Sequence, residues 1–367
     1  MKFTALIPCL TLAAAFLFAA AGCSHADSEP QTDETAILRL KIRLSDIDYG
    51  SRASGDGYEP DKGPADDGEK IHTVRIIIAD GAGTVEHNTL WDLEAAPDIV
   101  ASGGDFPVRA NDTKTIVLIA NEKDAIVASP GGTPQSAKDY FTSAANAAVG
   151  NLLNLGALRR LLFYRTDNLD GHSLRKPLLM TAIHTGVRIG GASVYRRDFT
   201  IHRAAVKYTY RITNNDAVNS HTVDQVHINH VAARLYVFPD YDYTDTDQMF
   251  YSAYRTPDNA GSVLSVNTAK VIAPKETVEL DAIYLPEGHT ATDGDPYATA
   301  LTIDGKTTEW SDLMWYMPQT PSQSILMTDL PRNTHVIVNV QLSRYNIKIF
   351  YTVCPWVESS VDIPEFN

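Results

Sequence analysis

Catalytic signatures are missing from this sequence. It has no G-x-S-x-G, no H-E-x-x-H and no phosphate-binding P-loop. No nucleophile stands with a base in a recognisable arrangement. These absences remove any reason to propose an enzyme or a cofactor. A surplus of basic residues is missing too: the formal net charge is −14, which argues against nucleic acid as a partner. Cysteine is scarce, with only Cys9, Cys23 and Cys354, too few to build a disulfide framework. A chain of this length buries ample core without one.

The exception to the lack of long apolar runs is the amino terminus. Lys2 is followed by an apolar run from Ala5 to Ala21, and residues 1–22 read as a signal peptide rather than as fold. The run is short for a membrane span and ends in small residues. It closes on Ala20-Ala21-Gly22-Cys23, which resembles a bacterial lipobox, where the Cys23 thiol is acylated and the chain is cut before it. Ala20 departs from the usual leucine, and an ordinary secretory signal is the other reading. Cys9 then leaves with the signal, Cys23 carries lipid, and Cys354 stands alone. Residues 23–35 are polar and acidic (Asp27, Glu29, Asp33, Glu34). They bury nothing and read as a tether, similar to the acidic export signal of surface lipoproteins in Bacteroides-type bacteria.

Beyond the tether, period-2 alternation dominates. In Ala36–Ala53, Leu38, Leu40, Ile42 and Leu44 face one way and Arg39, Lys41 and Arg43 the other, the signature of a half-buried strand. A loop with the basic residue Arg52 follows. Further strands read at Ile71–Ala79, Thr84–Leu93, Phe106–Val108, Lys114–Asn121, Val187–Ile201, Ala204–Ile212, Gln225–Phe238, Val263–Val266, Thr277–Tyr284, Tyr297–Ile303, His335–Leu342 and Ile347–Val353. Turn residues separate most of them. The pattern predicts a mainly β protein of two β-sandwich domains. An amino-terminal domain spans 36–203 (its strand 36–47 removable) and a carboxy-terminal domain 204–367, with the boundary near Ile201–Ala204. Leucine and alanine clusters in Gln135–Phe163 predict a helical insertion, about 136–149 and 155–163. A membrane-lying helix is the alternative, and the polar face is not notably basic.

Two clusters invite a metal and neither has the spacing. His227 and His230 are three apart, which suits one face of a helix but puts them on opposite faces of a strand. Asp240–Asp247 alternates Asp with Tyr and Thr, yet an EF-hand counted from Asp240 puts Asp245 where Gly belongs and Tyr251 where Glu belongs. Asn111-Asp112-Thr113 fits a glycosylation sequon that means little in a bacterium.

The lipobox, the strand ending in Ser-Arg-Ala, and IHTVRIIIADGAGTVEHN followed by KTIVLIANE resemble the amino-terminal domain of the fimbrillin family, the subunits of the lipoprotein-derived (type V) fimbriae of Bacteroidales. The later pieces KPLLMTA, IHRAAVKYTYRI, AIYLPE, LPRNTHVIVNVQL and YTVCPW resemble it in the same order. The resemblance implies two transthyretin-like sandwiches and export as a lipoprotein to the outer membrane. It also implies removal of the tether and first strand by an Arg-specific protease, and polymerisation into a surface fimbrium, shaft or tip, by strand exchange between subunits. Carried over, the cut falls between Arg52 and Ala53, and the donor strand comes from Ile347–Phe366. The candidates there are Ile347, Ile349, Tyr351 and Val353, then Trp356, Val361 and Ile363.

Physical chemistry allows that account. Removing a strand with four large apolar residues uncovers on the order of 6–12 kcal/mol of burial and a row of unpaired backbone groups, an edge suited to another chain's strand. Ile347–Val353 also reads as the last strand of its own domain. Within the same superfamily, a base subunit that keeps its lipid is the neighbouring reading. From a different class, a monomeric surface lipoprotein binding glycan or host protein is the alternative, with Tyr241, Tyr243, Tyr251 and Tyr254 as its aromatic candidates.

Overall fold

The computed structural model describes residues 34–44, 66–93, 104–238, 262–289, 297–316, 324–326, 329–344 and 346–355. Its principal strands are β1 (Thr35–Leu44), β2 (Thr73–Ala79), β3 (Val85–Asp92), β4 (Phe106–Arg109), β5 (Asp112–Ala120), β6 (Ile126–Ala128), β7 (Leu162–Tyr164), β8 (Met180–Ile189), β9 (Val194–Arg203) and β10 (Val206–Asn214). They continue with β11 (His221–Val231), β12 (Arg234–Tyr236), β13 (Ser262–Ile272), β14 (Thr277–Glu279), β15 (Ile283–Leu285), β16 (Thr299–Ile303), β17 (Lys306–Thr307), β18 (Thr334–Ser343) and β19 (Asn346–Pro355). The architecture is mainly β, as the alternation predicts.

The first seven-stranded sheet runs β3-β2-β5-β8-β9-β1-β4. It folds over itself at β9. The end of β9 pairs with β8 at Thr181↔His202, and its earlier length, from Val194 to Ile201, pairs with β1. The core between the two layers takes Leu38, Leu40, Ile42 and Leu44 from β1. Facing them are Val74, Ile76, Ile78, Ile116 and Leu118 from β2 and β5, with Phe106, Phe199 and Ile201. β2 and β5 are buried on both faces, which is why their sequences are near-continuous apolar runs rather than alternating ones. Their second face, Ile77, Ala79, Val117 and Ile119, packs a further core with Tyr140, Phe141, Leu158, Phe163, Leu235 and Phe238.

The later strands form a second pair of sheets. One runs β14-β10-β18-β19, with β15 also on β10; the other runs β13-β11-β16-β17. Tyr208, Tyr210, Val336 and Val338 meet Val226, Ile228, Leu301 and Ile303 between them. A parallel pair recurs in each set: β1 lies parallel to β9, and β10 parallel to β18.

The helical insertion is smaller than its composition suggests. The helices are α1 (Ala137–Thr142), α2 (Ala144–Ala147) and α3 (Leu155–Leu158). Ser143 breaks the first expected helix in two, because its N–H closes α1 on the Asp139 carbonyl while its hydroxyl accepts from Ala145 N–H to open α2. The second expected helix, 155–163, stops at Leu158. Leu162–Tyr164 is instead strand β7, paired with both β6 and β12. Apolar residues buried on a sheet overrode helix propensity there.

At the β10–β11 turn, the Asp216 carboxylate accepts from Val218 N–H (2.8 Å), Asn219 N–H (3.2 Å) and Asn219 Nδ2 (3.0 Å). Those bonds, the one from Val218 N–H foremost, push it down to about 2 from the ordinary 3.8. A carboxyl depressed in the folded state stabilises above its unfolded value, and that contribution fades as pH falls from about 4 to about 2. Asp216→Ala therefore flattens the acid-unfolding profile in that window. Circular dichroism against pH measures it, and an unchanged profile would contradict the assignment.

Candidate functional site: the seat of the first strand

β1 is held by both of its backbone edges. Eight residues, Ile37 to Leu44, pair in parallel with Val194 to Ile201 of β9, and Thr35 to Leu38 pair antiparallel with β4. Two further backbone bonds close its start: Ala110 N–H to the Glu34 carbonyl (2.7 Å) and Ile37 N–H to the Ser193 carbonyl (3.0 Å). Beyond Leu38, the β4-side edge of β1 has no strand partner among the described residues. The inward side chains are sealed: Leu38 and Ile42 are 0% exposed, Leu40 4% and Leu44 7%. At ~1.5–3 kcal/mol for each fully buried side chain, they dominate the strand's attachment.

β4 closes the far side of this seat. Its only strand partner among the described residues is β1, yet β3 side chains also grip its backbone. His87 Nε2 donates to the Pro107 carbonyl (2.7 Å), and Arg109 N–H donates to Glu86 Oε1 (3.0 Å). Phe106 fixes the other face of β4 against His87 and Trp91, with ring centroids 5.3 and 5.5 Å apart. Glu86 is held in turn by the fully buried Lys114 (2.8 Å), which also bonds Asp112 (2.9 Å). Burial works to raise the Asp112 carboxyl. The hydrogen bonds from Lys114 and from the Thr113 and Gly81 N–H groups outweigh it and hold the group below its ordinary value.

The outward face of β1 is charged. Arg39 grips Asp105 with both arms of its guanidinium, Nε to Oδ1 at 2.6 Å and Nη2 to Oδ2 at 3.1 Å. That contact holds the Asp105 carboxyl below the usual range. The backbone register sets Arg39 beside Arg196 and Lys41 beside Asp198.

The other residues that the sequence singles out divide in two. Cys23, Arg52, Ala53, Trp356, Val361 and Ile363, with the Asp240–Asp247 stretch and the loop tyrosines 241, 243, 251 and 254, lie outside the described residues. Ile347, Ile349, Tyr351 and Val353 lie on β19, an edge strand paired antiparallel with β18 from Thr334↔Pro355 to Ser343↔Asn346. Ile347 and Phe350 are exposed on it. Tyr351 is buried and donates to the Ser311 carbonyl (2.5 Å). His227 sits in β11 with its ring between Ser265 Oγ (2.8 Å) and Thr302 Oγ1 (2.9 Å) of the neighbouring strands. His230 closes that strand with a positive φ of 46°.

Sequence reasoning missed a buried polar joint. Arg332, fully buried, ion-pairs with Glu287 and donates to the carbonyls of Val237 (2.9 Å) and Tyr236 (2.5 Å) and to Thr181 Oγ1 (3.4 Å). Nearby, Tyr284 donates to the buried Glu69 (2.5 Å), which Lys207 reaches at 3.1 Å. The joint ties β8 of the first sheet to the loop preceding β18. Its only signal in the sequence is a charged residue inside each of two apolar stretches, AIYLPE and LPRNTHVIV.

No protein-family model matches the sequence, and no curated protein matches it. Solved structures do. The chain is similar to the tip fimbrial protein Mfa3 from Porphyromonas gingivalis with C-terminal truncation. That match has a TM-score of 0.51 at 10% identity, over 88% of this chain and 100% of that one. A fimbrilin from Porphyromonas gingivalis W83 aligns at TM-score 0.46 and 14% identity, over 88% and 98% of the two chains. A fimbrial assembly protein from Parabacteroides distasonis aligns at 0.45 and 10%, over 87% and 98%. At such identities the first likeness shows a shared fold, over 88% of this chain.

Proposed function

We propose that this chain is a structural, non-enzymatic subunit of a cell-surface fimbrium, built with a temporary first strand. It is exported as a lipoprotein on Cys23 and cut after Arg52 by an Arg-specific protease. It then polymerises when a strand of another subunit takes the place of β1. The supporting observation is the seat of β1: a strand with its apolar side sealed in a core and partners on both edges, joined to β2 through a segment that contains Arg52. One cut in that segment turns an integral strand into a separate, exchangeable one. The fold shared with a tip fimbrial protein agrees with this reading.

The test is brief trypsin treatment of the purified full-length chain, followed by amino-terminal sequencing and light scattering. The expected result is a new terminus at Ala53 and growth of oligomers, with Arg52→Ala resisting both. A terminus elsewhere, or no change in size after cutting, would sink the mechanism. Lipid still attached to Cys23 on the mature surface form would make the chain an anchoring base subunit instead.

A further inference from the structure

Three buried cations of this protein each hold a carboxylate. Arg75 grips Glu122 with two nitrogens of its guanidinium (2.7 and 2.6 Å), Lys114 lies between Glu86 and Asp112, and Arg332 ion-pairs with Glu287. Arg165 is different. It directly follows β7, is 8% exposed, and has no carboxylate within reach among the described residues. Its guanidinium makes one hydrogen bond, from Nη2 to Ser262 Oγ at the start of β13 (2.7 Å), and its Nε is buried without an acceptor. A buried charge with one neutral partner is costly, and burial pushes this guanidinium below its ordinary pKa. The turn that carries it is firmly held. Asn168 Oδ1 accepts from Ile126 N–H (2.7 Å), its Nδ2 donates to the carbonyls of Ile126 (2.9 Å) and Tyr164 (2.8 Å), and Arg165 N–H donates to the Ala233 carbonyl (2.8 Å). The nearby Tyr297 phenol is no counter-ion, because it donates to the Pro286 carbonyl (2.8 Å) and burial raises its pKa, which keeps it neutral. A second orphan lies on the same rung: Val231 pairs with Ser262, and beside Val231 the Nδ1 of His230 is buried with no partner among the described residues.

We propose that Arg165 and Ser262 form a receiving site for a carboxylate, at the seam where the turn after β7 meets the second pair of sheets. A guanidinium presents its donors as a rigid planar fork, and the unused Nε with its adjoining nitrogen matches the two oxygens of a carboxylate. The Ser262 hydroxyl accepts from Nη2 and keeps its own proton to donate to the same ligand. The chain's net charge of −14 repels a doubly charged phosphate more strongly than a singly charged carboxylate. The small part of Arg165 left open to solvent is the way in. Once bound, the ligand neutralises the guanidinium and ties the turn after β7 to β13, so it stabilises the folded chain. A free carboxylate and an aspartate or glutamate side chain of another chain offer the same chemistry. The site stands apart from the seat of β1 and needs no strand exchange.

The test melts the purified full-length chain in sodium acetate and in sodium chloride at equal ionic strength. Acetamide is the neutral control, and N-acetyl-Gly-Asp-Gly-amide supplies the side-chain form of the ligand. The expected result is a melting temperature about 2–4 °C higher with acetate or the aspartyl peptide than with chloride, the shift for a ligand at about five times its dissociation constant. Acetamide gives no rise, and Arg165→Met abolishes the rise. In chloride, Arg165→Met melts no lower than the parent, because it removes a buried charge that nothing balances. Ser262→Ala keeps the guanidinium and a smaller rise. A rise with acetate and peptide alike supports a site for free carboxylates, and a rise with the peptide alone supports one for an acidic side chain. Equal melting of the parent in acetate, peptide and chloride overturns the proposal, whether or not Arg165→Met folds. An undiminished rise in Arg165→Met overturns it too, as does a larger Arg165-dependent rise in phosphate than in acetate.

Discussion

Arg332→Met lowers the unfolding free energy by about 3–5 kcal/mol, the range for breaking one side of a buried ion pair. The loss comes less from the missing attraction than from what remains. Glu287 is 3% exposed, and the cost of burying its carboxylate would no longer be offset by the guanidinium. The carbonyls of Tyr236 and Val237 lose a donor at the same time. The double variant Arg332→Met, Glu287→Leu recovers much of the loss, because removing both charges removes the desolvation cost as well. Urea unfolding of the three proteins measures this. A single variant no less stable than the parent would show that the joint is not the anchor between β8 and the loop before β18. The proposed cut after Arg52 is far from Arg332 in sequence, so on that reading processing of the single variant is unchanged.

Ile42→Ala gives the second large effect. Ile42 is fully buried in mid-strand, and truncation there costs about 2–5 kcal/mol. The uncut chain loses stability by that amount. On the proposed strand-exchange reading, in the cut chain the same loss falls on the complex between β1 and the rest, so β1 departs faster and exchange accelerates. Under that proposal a substitution that weakens the uncut chain promotes assembly. Thermal unfolding of the uncut chain and release of a labelled β1 after cutting give the two halves of the test. Slower or unchanged release would mean that Ile42 does not hold the strand. Arg39→Ala, which removes only an exposed ion pair, leaves stability nearly unchanged.

Much of this is legible in the sequence. The alternation in LRLKIRL identifies β1 and its inward side, because the pleat repeats every two residues. The runs VRIIIA and TIVLIA identify β2 and β5, although not that both faces are covered. What stays hidden depends on distant partners. Nothing local says that Ile37 lies beside Val194 or that the pairing is parallel. Asp105 reads as one more loop carboxylate until the fold brings it to Arg39. Arg332 reads as a surface residue, since arginine is seldom buried without a partner and that partner lies far away in sequence. The helices are shorter than composition suggests for a local reason, the capping by Ser143, and for a distant one, the pull of Leu162–Tyr164 into a sheet.

The pairing of β1 with β9 spans more than 150 residues of chain. In the intact protein β1 is also tied to β2 by a continuous stretch of chain, so a strand that slips out meets its seat again at an effective concentration on the order of millimolar. Recapture then outpaces any competitor at ordinary dilution. Severing the connection changes the order of the reaction. Return becomes bimolecular and depends on how much free strand is present, while in the proposed assembly a neighbouring subunit held close would supply its strand at high local concentration. The cut therefore need not break a single contact of β1. In the proposed mechanism it decides which strand has the advantage of proximity, and growth at a surface, where discarded strands diffuse away, would run in one direction.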